Sequence, residues 1–379
     1  MPDPTSTPQS AADNVLRRLG EVLDPELRIP ITEVGMVGGV EVDRHGRADV
    51  TIKLTTEACP MRSRIVTDVT AAAVRAEGVR TAEVQLEVMT PQERAELKEQ
   101  LRGGAKVNRF AQPDSLTRVY AVASGKGGVG KSTVTVNLAC ALADRGLKVG
   151  VVDADVHGFS VPSLMGITDA PTRLDEMILP PVAYGVKTIS IGMFVEGNQA
   201  VAWRGPMLHR AVEQFLTDVH FGDLDVLLLD LPPGTGDIAI SVAQLLPSSE
   251  LLVVTTPQTA AASVAERAGA LSHQTGQQVA GVVENMGPMT LPDGTVMELF
   301  GSGGGQLVAD RLSEQLSTQV PLLGSVPLDA ALRESGDAGT PAVLRAEPSP
   351  AGTALRQIAD RLASRSRGIA GRSLPLSPA

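Results

Sequence analysis

The spacing of apolar residues in the first part of the chain mixes two periods. Apolar residues repeat with a helical period over 15–23, whereas residues 39–54 alternate with period two on either side of a polar turn. A helix is predicted over 61–77 and a further strand over 81–88. Together these elements predict a small α+β domain that covers residues 11–89.

Beyond residue 116 the pattern changes to apolar runs that alternate with helical stretches. The runs cover residues 118–124, 149–155, 226–230, 251–255 and 279–284. Strands that alternate with helices form βαβ units, whose parallel strands are covered by helices on both faces. The fold class predicted for residues 117–364 is therefore α/β, with a mostly parallel sheet between two layers of helices.

Three segments lack this patterning. Residues 1–10 are rich in Pro, Ser and Thr and are expected to form a disordered leader. Residues 90–116 pass from a charged helical stretch into glycine and proline, which is typical of a linker. Residues 365–379 combine arginine with Ser, Gly and Pro and are expected to form a flexible tail.

Composition narrows the class of protein. Of the 379 residues, 43% are hydrophobic and 20% are charged, which excludes a disordered or fibrous chain. No run of about 18 apolar residues exists to span a bilayer, and the first residues lack the basic flank and apolar stretch of a secretory signal. We therefore expect a soluble cytoplasmic protein with no membrane partner.

The net charge makes nucleic acid an unsuitable partner. The formal charge is −10 and aromatic residues make up only 2% of the chain, whereas nucleic-acid binding needs clustered cations and stacking rings. A small phosphorylated ligand is not excluded, because its site needs only backbone amides and one or two cations.

A glycine-rich segment between the strand ending at Ser124 and the next helix fits the P-loop pattern G-x-x-x-x-G-K-[ST]. Its residues are Gly125, Lys126, Gly127, Gly128, Val129, Gly130, Lys131, Ser132 and Thr133. The glycines let successive N–H groups point at phosphates, at the positive end of the following helix. Lys131 would reach the β- and γ-phosphates of a nucleotide, and the Ser132 hydroxyl would bind Mg²⁺.

A dinucleotide-binding loop is the competing interpretation. Gly125, Gly127 and Gly130 also fit G-x-G-x-x-G, and Asp153 follows at the spacing of a ribose-binding acid. The lysine and serine directly after the last glycine, and a second acidic strand end at Asp230, favour the P-loop, because Mg²⁺–nucleotide chemistry needs both features. A P-loop NTPase is therefore the predicted fold of the second domain.

Three carboxylates are candidates for holding the metal and the attacking water. Asp230 closes an apolar strand, which predicts a position beside the phosphates as a Mg²⁺ ligand; a capping or turn aspartate is the alternative. Asp153 and Asp155 lie two residues apart at another strand end, which predicts that they point the same way. One would support the metal and the other would orient the water, and the spacing leaves this assignment open.

The early lysine of the loop, Lys126, resembles the deviant Walker A motif of the MinD/ParA/nitrogenase-iron-protein class. In that class the lysine reaches across a homodimer to the partner's nucleotide, as an arginine finger does. Residues 116–345 more narrowly resemble the Mrp/ApbC family of iron–sulfur cluster carriers. The motifs that carry this resemblance are Val152–Pro162, Asp230–Asp237, Val283–Met286, Phe300–Gly305 and Gly324–Asp329.

Residues 11–89 are similar to the small iron–sulfur-assembly domain that is fused to these ATPases. The similar segments are Asp24–Leu27, Gly35–Met36 and Thr56–Pro60. The resemblance implies ATP, Mg²⁺ and an iron–sulfur cluster as cofactors, a homodimer, and apo-iron–sulfur proteins and assembly factors as partners. It also implies that Asp155 activates the attacking water and that Asn285 contacts the adenine. For Asn285, a buried amide that satisfies backbone groups is the alternative.

One departure from the family concerns the cysteines. The family carries a C-x-x-C shortly after the Glu-Asn-Met segment, but residues 287–294 contain no cysteine and the chain has only two. Cys140 lies among apolar residues of the helix after the P-loop and is expected in the core. Pro60 suits a first helical position, which predicts Cys59 at a helix N-terminus where a thiolate is favoured. Cys59 is the candidate cluster ligand, with a cysteine that packs a turn as the alternative.

These observations favour an ATP-hydrolysing carrier that binds iron–sulfur clusters and transfers them to apo-proteins. Water would attack the γ-phosphate while Lys126, Lys131 and Ser132 stabilise the developing charge. The first alternative is an ATP-gated adaptor of iron–sulfur assembly that holds no cluster, which the missing C-x-x-C favours. The second is a MinD/ParA-like positioning ATPase, which the N-terminal domain disfavours.

Overall fold

The structure is a computed structural model that describes residues 8–56, 59–102, 107–155, 158–194, 205–234, 237–258 and 261–364. The expected tail and residues 1–7 of the expected leader lie outside these ranges. Residues 8–10, which the composition assigned to the leader, are helical, because the first helix begins at Pro8.

The described residues fold into helices and strands along the whole chain. The helices are α1 (Pro8–Leu19), α2 (Arg62–Val74), α3 (Pro91–Arg102), α4 (Lys131–Asp144), α5 (Val161–Leu164), α6 (Gly205–Asp218), α7 (Asp237–Leu245), α8 (Ala261–Thr275), α9 (Gly304–Leu316), α10 (Ala330–Asp337) and α11 (Pro350–Ser364). The strands are β1 (Val37–Val42), β2 (Arg47–Leu54), β3 (Thr81–Val88), β4 (Arg118–Ser124), β5 (Val149–Asp153), β6 (Thr172–Leu174), β7 (Met177–Leu179), β8 (Val182–Ala183), β9 (Val186–Ser190), β10 (Val226–Asp230), β11 (Glu250–Thr255), β12 (Val279–Gly287), β13 (Met289–Thr290), β14 (Val296–Met297) and β15 (Leu322–Pro327). Within the described ranges, no helix combines the length and the apolar character needed to cross a membrane.

Eight strands form one sheet, in the order β15-β12-β11-β4-β10-β5-β9-β8. Every neighbouring pair from β15 to β9 is parallel. All residues of β5 and β10 are buried, as expected for strands that are covered on both faces. The α/β fold class predicted from the alternation of strands and helices is confirmed.

The first strand of this sheet, β4, lies inside it rather than at an edge, with β10 on one side and β11 on the other. The chain builds the β10, β5 and β9 side first and later adds β12 and β15 beyond β11. Ligands bind at the carboxyl ends of parallel strands where the strand order changes direction in this way. The fold therefore points to the loop after β4, residues 125–130, as the site.

The register of the sheet brings two acidic residues to the same edge as that loop. Asp230, the last residue of β10, is aligned with Val122 of β4 and with Asp153, the last residue of β5. Helix α4 follows the loop, and its residues from Val134 to Leu142 are buried in the core of the large sheet. A central strand and a packed helix therefore fix the two ends of the loop.

The chain divides into two compact units. One comprises residues 1–107 together with 169–182 and 214–222, and the other comprises the remaining residues. The first unit contains a sheet in the order β1-β2-β3, in which β1 and β2 are antiparallel and β2 and β3 are parallel. Alternate residues of β2 are buried, in agreement with the period-two pattern of the sequence.

Strands β6 and β7 pair as a short antiparallel hairpin that belongs to the first unit. Leu174, Met177 and Leu179 are each at most 2% exposed, and they lie in one hydrophobic core with residues of α1, α2 and β2. The pattern of apolar residues did not predict this hairpin, because three-residue strands are too short to show a period. Part of the core of the first unit therefore comes from the middle of the chain.

We expect Leu174→Ala to destabilise the first unit. Removing a buried leucine side chain lowers the free energy of unfolding by about 3 kcal/mol, because the lost burial and the cavity both contribute. Hydrogen–deuterium exchange of the β2 and α2 amides measures this local loss. The control is Leu16→Ala on α1, whose side chain is 41% exposed and which should change stability by less than about 1 kcal/mol. Unchanged protection in Leu174→Ala would contradict the placement of the hairpin in this core.

Candidate functional site

The glycine-rich loop wraps around the N-terminus of α4. Gly130 caps this helix in the left-handed conformation, with φ of +76°. A Cβ at this position would lie 2.3 Å from Nδ2 of Asn285, so a side chain is excluded by both the backbone angle and the contact. The first N–H groups of the 14-residue helix have no helical acceptors and are available to an anion.

A buried ion pair lies at the start of that helix. Nζ of Lys131 is 2.7 Å from Oδ2 of Asp230, and the two side chains are 5% and 0% exposed. The hydroxyls of Ser132 and Thr135 donate hydrogen bonds to the same carboxylate, at 2.6 and 2.7 Å. The charge of Asp230 is thus compensated by a lysine and two hydroxyls, which is what a buried carboxylate requires.

Asp153 lies beside this pair at the end of the neighbouring strand. Its side chain is fully buried and accepts hydrogen bonds from the N–H of Asp155 at 3.1 Å and the hydroxyl of Ser190 at 3.0 Å. Burial, and after it the charge of Asp230, raises the pKa of Asp153 to about 7. A cation bound beside both carboxylates would relieve this repulsion, and the oxygen donors of Ser132, Asp153 and Asp230 suit Mg²⁺.

Asp155 does not continue the strand. Because β5 ends at Asp153, the rule that alternate strand residues point the same way does not extend to Asp155, so strand geometry does not support the expectation that both carboxylates point the same way. The Asp155 carboxylate instead accepts a hydrogen bond from the N–H of Gly158, at 3.1 Å, and is 7% exposed. The two aspartates therefore have different surroundings, which the spacing alone could not distinguish.

The early lysine of the loop, Lys126, is hydrogen-bonded to a residue that follows strand β11. Nζ of Lys126 donates a hydrogen bond to Oε1 of Gln258, at 2.6 Å, and both side chains are at the surface. Arg267 of α8 donates to the carbonyl oxygen of Gly125 at 2.8 Å. Neither Gln258 nor Arg267 was found from the sequence. The signal for Gln258 is its position just after β11, whereas a surface arginine within a helix gives none.

Asn285 contacts the loop from β12. Its Nδ2 donates a hydrogen bond to the carbonyl oxygen of Val129, at 2.8 Å, and the residue is 4% exposed. Asn285 also lines a cavity of about 250 Å³, together with Gly130, Thr133 and Leu328. The Asn285 amide therefore satisfies a backbone group, which is the alternative stated in the sequence analysis, and it also lines the cavity beside the phosphate-binding loop.

The surroundings of Cys59 differ from those that the sequence predicts. Helix α2 begins at Arg62, so Cys59 precedes the first turn instead of standing at its N-terminus. The residue is 8% exposed. Burial raises the pKa of its thiol to about 11, and the carboxylates of Glu26 and Asp24 add to the effect. These surroundings disfavour the thiolate, in contrast to the expectation from a helix N-terminus.

Cys140 is fully buried in α4, as expected of a core residue, and burial raises the pKa of its thiol to about 12. In the ranges that the structure describes, no three or more His, Cys, Asp or Glu side chains come together as a metal site.

Glu26, a neighbour of Cys59, is a buried acid. Its carboxylate accepts a hydrogen bond from the hydroxyl of Thr172 in β6, at 2.5 Å. Burial raises the pKa of Glu26 to about 7, and the nearby carboxylate of Asp24 adds to this. Asp24 itself accepts the N–H groups of Glu26 and Leu27, at 2.9 and 2.7 Å, which fixes the turn.

A glycine loop between an inner strand and a helix, with a buried lysine against an aspartate at the next strand end, defines the P-loop NTPase class. The family model described as NUBPL iron-transfer P-loop NTPase matches residues 115–363. A second model, described as iron-sulfur cluster assembly protein, matches residues 12–86. The chain belongs to the NUBPL iron-transfer P-loop NTPase family.

Similar proteins agree with this assignment. The chain is 61% identical over 362 residues to the iron-sulfur cluster carrier protein of Mycobacterium tuberculosis, with 95% of each chain covered. It is 42% identical over 254 residues to that of Escherichia coli, over 66% of this chain and 67% of the relative. A solved nucleotide-binding protein of Archaeoglobus fulgidus in complex with ADP is 34% identical with a TM-score of 0.53, over 62% of this chain and 92% of that one. The expected family and the P-loop fold are confirmed.

The raised pKa of Glu26 predicts a pH-dependent stability. The folded protein holds the proton up to a pH of about 7, whereas the unfolded chain releases it near 4.5. The contribution of Glu26 to stability is therefore greatest below pH 4.5 and falls by about 3 kcal/mol as the pH rises to 7. Glu26→Gln removes this fall, so the free energy of unfolding of the variant rises relative to that of wild type as the pH increases from 4.5 to 7.

Hydrogen–deuterium exchange of the β2 amides at several pH values measures the difference in stability between variant and wild type. The titration of Asp153 occurs in both proteins and therefore cancels in this difference. The control is Glu99→Gln, at an exposed position of the same unit. A stability difference for Glu26→Gln that stays constant from pH 4.5 to 7.5 would show that the acid is not buried as described.

Proposed function

We propose that this chain is an Mg²⁺-dependent ATPase that carries iron–sulfur clusters to apo-proteins and acts as a homodimer. The observation that carries the ATPase part is the buried pair of Lys131 and Asp230 at the N-terminus of α4. The cargo rests on family membership and on relatives named iron-sulfur cluster carrier protein.

The phosphates of ATP would replace Asp230 as the partner of Lys131. The lysine already lies at the start of α4, where the free N–H groups of the helix and the loop favour an anion. Ser132, Asp153 and Asp230 would hold Mg²⁺, since all three present oxygen atoms. When bound, this ion neutralises charge on the phosphates and on the leaving group.

Hydrolysis needs an oriented water and a cation that stabilises the developing charge. The Asp155 carboxylate, fixed by the N–H of Gly158, would orient the water. Lys126 would act as the stabilising cation on the nucleotide of the partner subunit, in the manner of an arginine finger. Its bond to Gln258 is at the surface, so the side chain can leave it at little cost. The cavity beside Asn285 would take the adenosine.

The cargo half of the proposal depends on Cys59. A [4Fe–4S] cluster is generally held by four thiolates, and a homodimer would offer two copies of Cys59. The remaining ligands would come from outside the chain, such as a small thiol or the client protein. Because Cys59 must also lose its proton to bind iron, such a cluster would be weakly held and easily transferred.

The raised pKa of Cys59 also favours one alternative. An ATP-gated adaptor would bind assembly factors or clients through the first unit and would hold no cluster itself. A buried, protonated thiol with no C-x-x-C elsewhere in the sequence is what such an adaptor would show. A MinD/ParA-like positioning ATPase would not explain the match of residues 12–86 to an iron–sulfur assembly domain.

We expect Lys126→Ala and Lys131→Ala to separate binding from hydrolysis. Lys126→Ala should bind ATP within about threefold of wild type but hydrolyse it about a thousandfold more slowly, because the trans cation acts on the transition state. Lys131→Ala should lose both activities, because its lysine contacts the phosphates in the ground state as well. Calorimetric titration with ATP and phosphate release measure the two quantities. Undiminished turnover by Lys126→Ala would refute the role in trans.

Anaerobic reconstitution with iron and sulfide distinguishes the carrier from the adaptor. We expect wild type and Cys140→Ala to gain charge-transfer absorbance and to activate an apo-iron–sulfur protein, and Cys59→Ala to do neither. Cys140→Ala is the matched control, since it removes the other buried thiol. If wild type takes up no cluster and transfers none, the carrier function is wrong and the adaptor stands.

A further inference from the structure

A buried acid with no assigned role lies at the carboxyl end of β12. Glu284 is 3% exposed, and its carboxylate accepts the N–H of Gly305 at 2.6 Å and the hydroxyl of Ser325 at 2.7 Å. Neither of these partners carries a charge. Burying a carboxylate is costly unless its surroundings compensate it, so the position calls for a physical reason.

The N-terminus of α9 supplies the compensation. Gly305 is the second residue of this 13-residue helix, whose dipole and free N–H groups favour a negative charge. The approach is close: a Cβ on Gly305 would lie 2.6 Å from Cβ of Glu284, and a Cβ on Gly304 would lie 2.6 Å from the carbonyl oxygen of Pro257. The start of α9 therefore packs closely against both Glu284 and Pro257.

Each of these two residues directly precedes a residue that contacts the phosphate-binding loop. Pro257 precedes Gln258, which accepts the hydrogen bond of Lys126. Glu284 precedes Asn285, which donates to the carbonyl oxygen of Val129. The start of α9 thus contacts the side chain of Glu284 and the backbone of Pro257, the residues next to the two that contact the loop.

The strand end that carries Asn285 is irregular. Met286 adopts a left-handed conformation with φ of +60°, and the register with β15 shifts between Asn285 and Gly287. Such a bulge is strained for a residue other than glycine and persists only when its neighbours hold it. Consecutive strand residues point to opposite faces, so Glu284 can anchor this end from the face opposite Asn285.

We propose that Glu284 is a positioning residue for the base-binding side of the nucleotide site. By holding the start of α9 and Ser325 of β15 against the end of β12, it keeps Asn285 on the Val129 carbonyl oxygen and keeps the adjoining cavity open. Glu284 itself does not line the cavity. The inference rests on the proposed function in two respects: the ligand of the site is ATP, and its adenosine part lies in the cavity beside Asn285.

This role has a consequence that simple destabilisation would not have. Disturbing Glu284 should weaken recognition of the adenosine part of ATP and leave the triphosphate contacts of the loop and Lys131 as they are. We expect Glu284→Gln to raise the dissociation constant and the KM for ATP about tenfold, because one hydrogen bond to a charged group is lost. The kcat and the affinity for inorganic tripolyphosphate should stay within about twofold of wild type.

Calorimetric titration with ATP and with tripolyphosphate, together with steady-state hydrolysis, measures this split in the full chain. Ser325→Ala, which removes one hydrogen-bond donor and keeps the acid, should show the same split with a smaller rise in KM, and it tests the proposal if Glu284→Gln folds poorly. The control is Glu298→Gln, at an exposed residue near the start of α9 whose carboxylate bonds only Ser302 among the described contacts.

Two results would overturn the proposal: equal losses of ATP and tripolyphosphate affinity, or unchanged ATP affinity in both Glu284→Gln and Ser325→Ala. A lower melting temperature with an unchanged KM in both variants would also overturn it, because it would show that Glu284 contributes to stability alone. Wild type that neither binds nor hydrolyses ATP would instead refute the proposed function.

Discussion

The site depends on the buried ion pair between Lys131 and Asp230. Neither charge could be kept in this interior alone, because an unpaired buried charge costs several kcal/mol. The pair exists because the last residue of β10 stands in register with β4 and β5, and because α4 begins directly after the loop. Sheet register, loop conformation and helix position are therefore linked through one 2.7 Å contact. A nucleotide phosphate would compete for the same lysine, so its binding would reorganise this contact.

The parts of the site that follow from local sequence were predicted well. The glycine pattern places Lys131 at the first turn of a helix, and an apolar run that ends in an acid places Asp230 at the edge of the sheet. Each signal is contained in a short segment, residues 125–133 for the first and residues 226–230 for the second. Where the outcome depended on the residue at which an element ends, the predicted ends differ from those of the structure by one or two residues. Strand β5 stops at Asp153 and helix α2 starts at Arg62, and these ends decide the surroundings of Asp155 and Cys59.

Contacts between distant parts of the chain could not be predicted from the pattern at all. Glu26 and Thr172 are 146 residues apart, yet their hydrogen bond joins the turn near Cys59 to a hairpin of two three-residue strands. Nothing in the periodicity of residues 169–182 shows that Leu174 belongs to the core of the first unit. Gln258 and Glu284 are similar cases, because each matters through a partner on another element.

The two units differ in how far their candidate ligand-binding side chains are already arranged for binding. In the unit with the P-loop, Lys131 and the Ser132 hydroxyl already lie within hydrogen-bond distance of the Asp230 carboxylate, so ATP would have to displace one ion pair but would not have to assemble the site. In the first unit, burial raises the pKa of the Cys59 thiol, so iron bound there would have to displace a proton that the surroundings favour. A cluster bound through such a thiol would be held weakly. Weak retention suits a protein that passes its cargo on, whereas a storage protein would need the thiolates that this chain lacks.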